Sequence, residues 1–329
     1  DFGGLGLPRL DAAIIFEKLA YGDTSATAFM TIHNMVAWMI GEFAKREVAE
    51  KYVPDMITGE KLGSYCLTEP NAGSDAASLK TKAVKNGDHY LLTGQKMFIS
   101  GAGATDVLVV MARTSDNGAK GISAFIVDAN AEGVSYGKNE HKMGWKNQPT
   151  AAVHFSNVKV PVENLLGEEG QGFTFAMKGL DGGRINIGTC AVGTAQAALD
   201  RAVQYVGERS QFGKTLNQFQ SVQFKLADML TELVAARQMV RLAAYHLDNG
   251  SPDATTYCAM AKRLATDISF EVANQALQLH GGYGYLQEYP LERHVRDLRV
   301  HQILEGTNEV MRMITARKMM EDGALARLQ

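Results

Sequence analysis

Between Leu10 and about Thr58, apolar residues recur at three- and four-residue steps, and Phe29, Ile32, Met35, Val36, Met39 and Ile40 fall on one face. That periodicity predicts a helical unit. From Lys61 to Pro161 the texture changes to short apolar stretches, YLLTG, DVLVVMA, ISAFIVD and AAVHF, separated by Gly, Asn and Asp. These predict strands; Asn86-Gly87 is a tight-hairpin signal, and strands at ~8–12-residue spacing predict a small antiparallel sandwich or barrel. After Gly167 helical periodicity returns in Phe173–Glu208, Ser221–Leu247, Ala254–Leu279, Leu291–Leu304 and Thr307–Met320, which predicts a closing helix bundle. Leu226, Met229, Leu230, Leu233 and Val234 form a stripe expected to pack as core. No βαβ alternation is present, which disfavours a doubly wound dinucleotide fold. The expected class is α+β and multidomain: a helical domain at 1–60, a central antiparallel β domain at 61–167 and a helical bundle domain at 168–329.

Composition narrows the function classes. With 329 residues, 46% hydrophobic and 21% charged, the chain can bury a substantial core. A net charge of -3 and no polybasic run argue against nucleic acid as a partner. The apolar patch at Phe29–Ile40 is broken by Thr31, His33 and Asn34, short of the ~20 residues a spanning helix needs, so no membrane insertion is expected. Cys66, Cys190 and Cys258 are scattered and odd in number, which argues against a disulfide framework and a metal knuckle and points to a reducing compartment. The chain starts at Asp1 with neither an apolar signal core nor an Arg-rich presequence, so any targeting segment is expected to have been removed or never to have existed.

Several segments can carry chemistry. Glu305 lies between an apolar run ending at Leu304 and a Gly306-Thr307 turn, where Thr307 can cap a helix with Asn308 and Glu309 in its first turn. A carboxylate shielded at such a junction is poised for proton abstraction. The alternative is a solvated helix-end glutamate. YCLTEPNAGSD, residues 65–75, reads as a strand followed by a turn whose Gly73 permits close backbone approach and whose Thr68 and Ser74 supply hydroxyls for a polar ring or phosphate-bearing ligand. An ordinary hairpin turn has the same composition. KMFISG, residues 96–101, puts Phe98 and Ser100 on one face of a strand, as a half-buried strand also would. GLDGGRINIG, residues 179–188, interrupts a helical run with paired glycines before Arg184, which can hold an anion bidentately or make a surface ion pair. ERSQFGK places Arg209 and Phe212 at a helix end. In QLHGGYGY, Gly281-Gly282 can be a helix C-cap or can seat a pyrophosphate with Arg209 as a further donor.

In this order, TEPNAGSD, KMFISG, GGRINIG, RSQFGK, QLHGGYGY and LEGTNEVMR resemble the acyl-CoA dehydrogenase family of flavoproteins, from the first residues to Arg317. SYCLTEP, SDAASL, FISGAG, GWKNQPT, GGRINI and VHQILEG resemble its isobutyryl branch. The resemblance implies a helical domain, a β domain and a four-helix bundle, FAD as cofactor, a homotetramer in which a neighbouring subunit completes the cofactor site, and electron-transferring flavoprotein as partner. It implies that Tyr65, Cys66, Leu67, Thr68, Gly73, Ser74, Phe98, Ile99, Ser100, Thr307, Asn308 and Glu309 lie on the flavin side. Arg209, Phe212, Phe219, Gln220, Gln278, Gly281 and Gly282 match the adenosine and pyrophosphate region, partly across the subunit interface, and Ser74, Asp181, Gly182, Gly183, Arg184 and Arg317 match the acyl-CoA side.

Glu305 matches the family base, which removes the α-proton of the thioester while the β-hydrogen leaves as hydride, the enolate being held by the backbone amide at this glutamate and a flavin hydroxyl. A minority of the family places the base just before the arginine of GGR; here that position is Gly183. The implied activity is dehydrogenation of a short branched-chain acyl-CoA, isobutyryl-CoA to methacrylyl-CoA in valine breakdown, in a mitochondrial matrix or a bacterial cytoplasm. The alternatives are 2-methylbutyryl-CoA or butyryl-CoA as substrate, an oxidase, or a flavin-bound member without catalysis. Three departures stand out: the family has further helices before Asp1, so the first domain looks incomplete; Asp181 stands where Asn is expected; and Ala151 stands where that branch tends to have Arg.

Overall fold

The computed structural model describes residues 2–322. The chain divides into two compact units, one of Asp1–Gly6, Phe29–Lys142 and Asn147–Leu180, the other of Leu7–Ala28, Met143–Lys146 and Asp181–Gln329.

The predicted amino-terminal helical stretch is three helices, α1 Arg9–Gly22, α2 Thr24–Phe43 and α3 Arg46–Thr58. Asp23 separates the first two and caps the second, its carboxylate accepting the Ala26 N–H at 2.8 Å. Gly59, left-handed at φ 78, ends the third.

In the first unit the strands β1 Gly63–Cys66, β2 Lys82–Asn86, β3 His89–Ser100, β4 Val107–Arg113, β5 Ile122–Asp128, β6 Val134–Tyr136, β7 Thr150–Pro161 and β8 Leu165–Leu166 form one sheet in the order β6-β7-β3-β2-β4-β5-β8, with β1 paired to β4. The unbroken apolar runs of β4 and β5 are explained by burial on both faces. Val107, Val109, Met111, Ile122, Ala124 and Ile126 pack with Met35, Val36, Met39 and Ile40 of α2 and with α3. Leu108, Val110, Ala112, Phe125 and Val127 instead join Leu92, Val153 and Phe155 in a second core. The Asn86-Gly87 signal marks a hairpin, although the pair closing it is Asn86 and His89, so its turn residues are Gly87 and Asp88. The wholly antiparallel expectation fails at two places: β1 runs parallel to β4, and β2 meets β4 in parallel at Lys82 and Arg113. Parallel partners are joined by long connections, which leave no turn signature between them.

The second unit is built from most of α4 Gly172–Glu208, with α5 Gln220–Asp248, α6 Ala254–His280, α7 Leu291–Arg299 and α8 Asn308–Asp322; a small hairpin of β9 Ser210–Gln211 and β10 Lys214–Thr215 lies between α4 and α5. Its core is rich in alanine: Ala191, Ala195, Ala198 and Ala202 of α4 meet Ala236, Ala243 and Ala244 of α5 and Ala261, Ala265 and Ala273 of α6. Of the α5 stripe, Met229 and Leu233 are buried, but Leu230 and Val234 are exposed, because the buried face follows 229, 233, 236, 240 and 243.

Two further expectations are corrected. GLDGGRINIG does not interrupt its helix; α4 runs through it unbroken, and its glycines serve close approach. The helix expected over Leu291–Leu304 stops at Arg299 and continues as a 3-10 turn over Val300–Gln302. Among the described residues no helix is long and apolar enough to cross a membrane.

Candidate active site

In the second unit, the chain leaves the 3-10 turn and reverses through two consecutive left-handed residues, Glu305 at φ 56 and Gly306 at φ 89. Glycine is favoured at 306 by the left-handed φ, which strains any residue with a Cβ. A left-handed glutamate is uncommon and costs free energy, and such positions cluster at functional sites. Thr307 caps α8 as predicted, its Oγ1 accepting the Val310 N–H at 3.3 Å. Among the described residues the peptide N–H of Glu305 reaches no acceptor, so it is free for a ligand oxygen.

The Glu305 side chain is half-buried. Its Oε2 is buried without a hydrogen-bond partner. The space it fills is the side-chain space of Gly183: a Cβ built there would stand 2.3 Å from Oε2. Burial pushes the Glu305 pKa up to about 7, against the pull of the Arg184 and Lys262 charges. Arg184 is itself buried, its Nη1 donating to Asp181 Oδ1 at 2.6 Å, so it is not a surface ion pair. Its Nε is buried without a partner, and Asp181 also accepts the Thr255 hydroxyl at 2.6 Å.

Two buried side chains that sequence reasoning passed over support this turn. Lys262 of α6 is fully buried and its Nζ donates to the Gly306 carbonyl at 2.8 Å and to Asn308 Oδ1 at 2.9 Å. His301 is also fully buried, with Nδ1 3.2 Å from the Ile187 carbonyl, and its ring stands edge-on to Trp145. Burial depresses its pKa to about 4, so it stays neutral at physiological pH. Asn308 is buried in the same network, while Glu309 and Arg317 are exposed on α8.

The same unit gathers the segments near the ends of α4 and α6. Arg209, Gln278, Gly281 and Gly282, with Tyr205 and Tyr283, line a cavity of about 450 Å³. The Arg209 guanidinium lies over the Tyr283 ring at 5.6 Å. Gly281, at φ 57, is the C-cap of α6 and also part of that wall. Phe212 sits at the tip of the small hairpin, 95% exposed, 6.4 Å from Phe219, which precedes Gln220 at the start of α5.

In the first unit, β1 carries Tyr65 and Cys66. The Cys66 thiol is wholly inside the core, where burial pushes its pKa up to about 12, so only its backbone can meet a ligand. Glu69 and Ala72 exchange two backbone hydrogen bonds at 3.1 Å and close the turn before the exposed Gly73 and Ser74. The Met97 N–H donates to the Thr68 carbonyl at 2.9 Å, which lays the TEP turn beside Phe98. A bulge in β3 leaves Phe98 left-handed at φ 58 and 61% exposed, while Ile99 is buried and Ser100 half-buried. An exposed aromatic ring beside free backbone and small hydroxyls suits a planar polar ring.

Beneath that surface is a buried ion pair that the sequence reading also passed over. Lys96 Nζ donates to Glu69 Oε1 at 2.7 Å and to the Leu67 carbonyl at 3.0 Å, and the Glu69 carboxylate accepts the N–H groups of Lys80 and Thr81 at 2.6 and 3.0 Å. Burial raises the Glu69 pKa, but the Lys96 charge and these hydrogen bonds outweigh it and hold the carboxyl below its ordinary value.

Family models for the N-terminal, middle and C-terminal domains of acyl-CoA dehydrogenases match residues 1–60, 64–158 and 170–320. The chain belongs to the acyl-CoA dehydrogenase family. It is 54% identical over 322 residues to mitochondrial isobutyryl-CoA dehydrogenase of Bos taurus, covering 98% of this chain and 77% of the relative. A relative named caffeyl-CoA reductase-Etf complex subunit CarC, from Acetobacterium woodii, is 45% identical over 95% of this chain and 83% of its own length. The solved butyryl-CoA dehydrogenase of Megasphaera elsdenii superposes with a TM-score of 0.94 at 44% identity, over 97% of this chain and 85% of that one.

The missing side chain of Gly183 thus makes room for the Glu305 carboxylate. Gly183→Ala is expected to displace that carboxylate and lower the rate of flavin reduction by about 10²-fold. Alanine in a helix interior is favoured over glycine by ~0.5–1 kcal/mol, so thermal melting should show the fold kept.

Proposed function

We infer that the chain is an FAD-dependent acyl-CoA dehydrogenase acting on a short branched-chain thioester, isobutyryl-CoA to methacrylyl-CoA, as in valine breakdown. The observation that carries the chemistry is the Glu305 Oε2 atom, buried and unpartnered in the space left by Gly183. The substrate rests on the 54% identity to isobutyryl-CoA dehydrogenase.

In this reading Glu305 takes the α-proton, and a pKa near 7 matches that task at neutral pH. The free N–H of Glu305 offers a donor to the thioester oxygen as enolate charge develops. The buried charge of Arg184 stabilises the same negative charge, and Asp181 holds that arginine in place. Ser74, Gly182, Gly183 and Arg317 are further proposed acyl-CoA positions. FAD, when bound, accepts the β-hydrogen as hydride.

The donor sets of each unit fit that cofactor. Leu67, Thr68, Gly73, Ser74, Phe98, Ile99 and Ser100 are proposed to hold the flavin ring system, with Tyr65 and Cys66 contributing backbone. In the second unit, Arg209, Phe212, Phe219, Gln220, Gln278, Gly281 and Gly282 are proposed for the adenosine and pyrophosphate, partly across a subunit boundary, and Thr307, Asn308 and Glu309 as further contacts. A homotetramer is supported by the exposed apolar side chains of α5, Phe224, Leu230, Val234, Leu242 and Tyr245. The Etf complex named for the Acetobacterium woodii relative supports electron-transferring flavoprotein as electron partner, and the mitochondrial name of the Bos taurus relative supports a matrix location. The matches to 1–60, 64–158 and 170–320 support a division at 1–60, 61–167 and 168–329.

A second substrate, butyryl-CoA, is favoured by the match to the Megasphaera elsdenii enzyme. Anaerobic reduction of the bound flavin by isobutyryl-, 2-methylbutyryl- and butyryl-CoA separates the choices. Isobutyryl-CoA should give the highest kcat/KM; a higher value for butyryl-CoA would overturn the substrate assignment.

A further inference from the structure

Lys262 presents a problem of energetics. Its side chain is fully buried on the core face of α6, yet its ammonium meets a carbonyl and a carboxamide rather than a carboxylate. Burying a cation costs several kcal/mol even after relaxation, and a well-packed apolar side chain in such a place is often neutral or stabilising. Stability alone therefore does not ask for a lysine here.

What the ammonium does is local. It donates to Gly306 O and Asn308 Oδ1, one on each side of Thr307. The Asn308 amide is oriented for this, because its Nδ2 donates to Thr266 Oγ1 at 2.9 Å and to Asp267 Oδ1 at 2.7 Å. Gln302 Nε2 donates to the same Asp267 oxygen at 2.9 Å. Lys262, Thr266 and Asp267 of α6 thus grip the chain at 302, 306 and 308 and bracket the left-handed pair at 305 and 306.

We propose that Lys262 is the positioning residue of the base: it pins the Gly306 carbonyl to α6, holds the carboxylate in the Gly183 space and, when protonated, favours its ionised form. This rests on reading Glu305 as the base. The charged groups acting there are Arg184 and Asp181 from α4, Lys262 and Asp267 from α6, and Glu309 from α8, with neutral His301 below the turn. Arg184 and protonated Lys262 both favour the Glu305 carboxylate; burial lowers the Lys262 pKa to about 7, so lysine and carboxylate titrate as a pair, and removing Lys262 moves the carboxylate to higher pH.

The test uses the FAD-loaded protein and two variants, Lys262→Met and Lys262→Gln, with two readouts: the pH dependence of anaerobic flavin reduction by acyl-CoA, and hydrogen exchange of the amides at 304–308. Lys262→Met should speed exchange at 304–308, lower the rate by roughly 10-fold or more, and move the base limb up by about one pH unit. Lys262→Gln, a donor without charge, should move the limb in the same direction with a smaller change in exchange. If either variant keeps its FAD but shows wild-type exchange and a wild-type limb, the proposal is overturned. Should Lys262→Met fail to fold, the limb of Lys262→Gln decides alone. Glu305→Gln keeps the two readings apart: if it stays active the base assignment fails, whereas if it is dead while the Lys262 variants behave as wild type only the positioning role fails.

Discussion

Glu305→Gln is expected to lower the rate of flavin reduction by about 10³–10⁴-fold, the upper range for removal of a general base. Folding should survive. Glutamine is isosteric, and Oε2 has no hydrogen bond to lose. The wild-type carboxylate is kept in a place that burial makes costly when it is charged, so the neutral amide should melt no lower than wild type. The wild-type rate is expected to rise with pH through about 7, because the active form is the carboxylate and burial holds its pKa there. Stopped-flow reduction across pH, with thermal melting in parallel, checks both parts.

The largest stability effect is expected at the ion pair under the TEP turn. Glu69→Gln leaves the Lys96 ammonium, 0% exposed, without its countercharge. Removing one partner of a buried pair costs about 3–5 kcal/mol, because the remaining charge is desolvated and unpaired. The amide oxygen can still accept from Thr81 and Lys96, but the NH2 that replaces Oε2 faces the Lys80 N–H, so one hydrogen bond is lost with the charge. The melting temperature should therefore fall by roughly 10 °C, at ~2–4 °C per kcal/mol for a domain of this size. The same pair predicts a pH dependence. The folded Glu69 pKa is depressed, so its stabilisation is complete above the ordinary carboxylate range and is lost as pH falls through the depressed value. A variant that melts at the wild-type temperature would show that the pair contributes nothing.

Much of this was legible from pattern. The strands β4 and β5, the hairpin at Asn86-Gly87 and the capping of α8 by Thr307 all follow from local signals, and Glu305 was marked by its junction. Local signals were silent where partners are distant. Lys96 reaches Glu69 across 27 residues and Lys262 reaches Gly306 across 44. Both lysines nevertheless carried a signal: Lys96 is in phase with the buried Tyr90 and Leu92 along β3, and Lys262 lies on the stripe of Cys258, Ala265 and Ser269 in α6. A lysine in phase with core positions is a misplaced charge until a partner is found. The glycines of GLDGGRINIG misled for the opposite reason. Glycine breaks isolated helices, but a packed helix tolerates it where another chain segment must come close, and Gly183 is where the Glu305 carboxylate comes close.

The central claim is that Glu305 moves the α-proton, and it can be tested without the hydride step. Acetyl-CoA has α-hydrogens and no β-hydrogen to transfer, so incubation with the FAD-loaded enzyme in D2O isolates proton abstraction. Wild-type enzyme should wash deuterium into the acetyl group, and Glu305→Gln should slow that exchange by about 10³-fold or more. Exchange at the wild-type rate in Glu305→Gln would contradict the account.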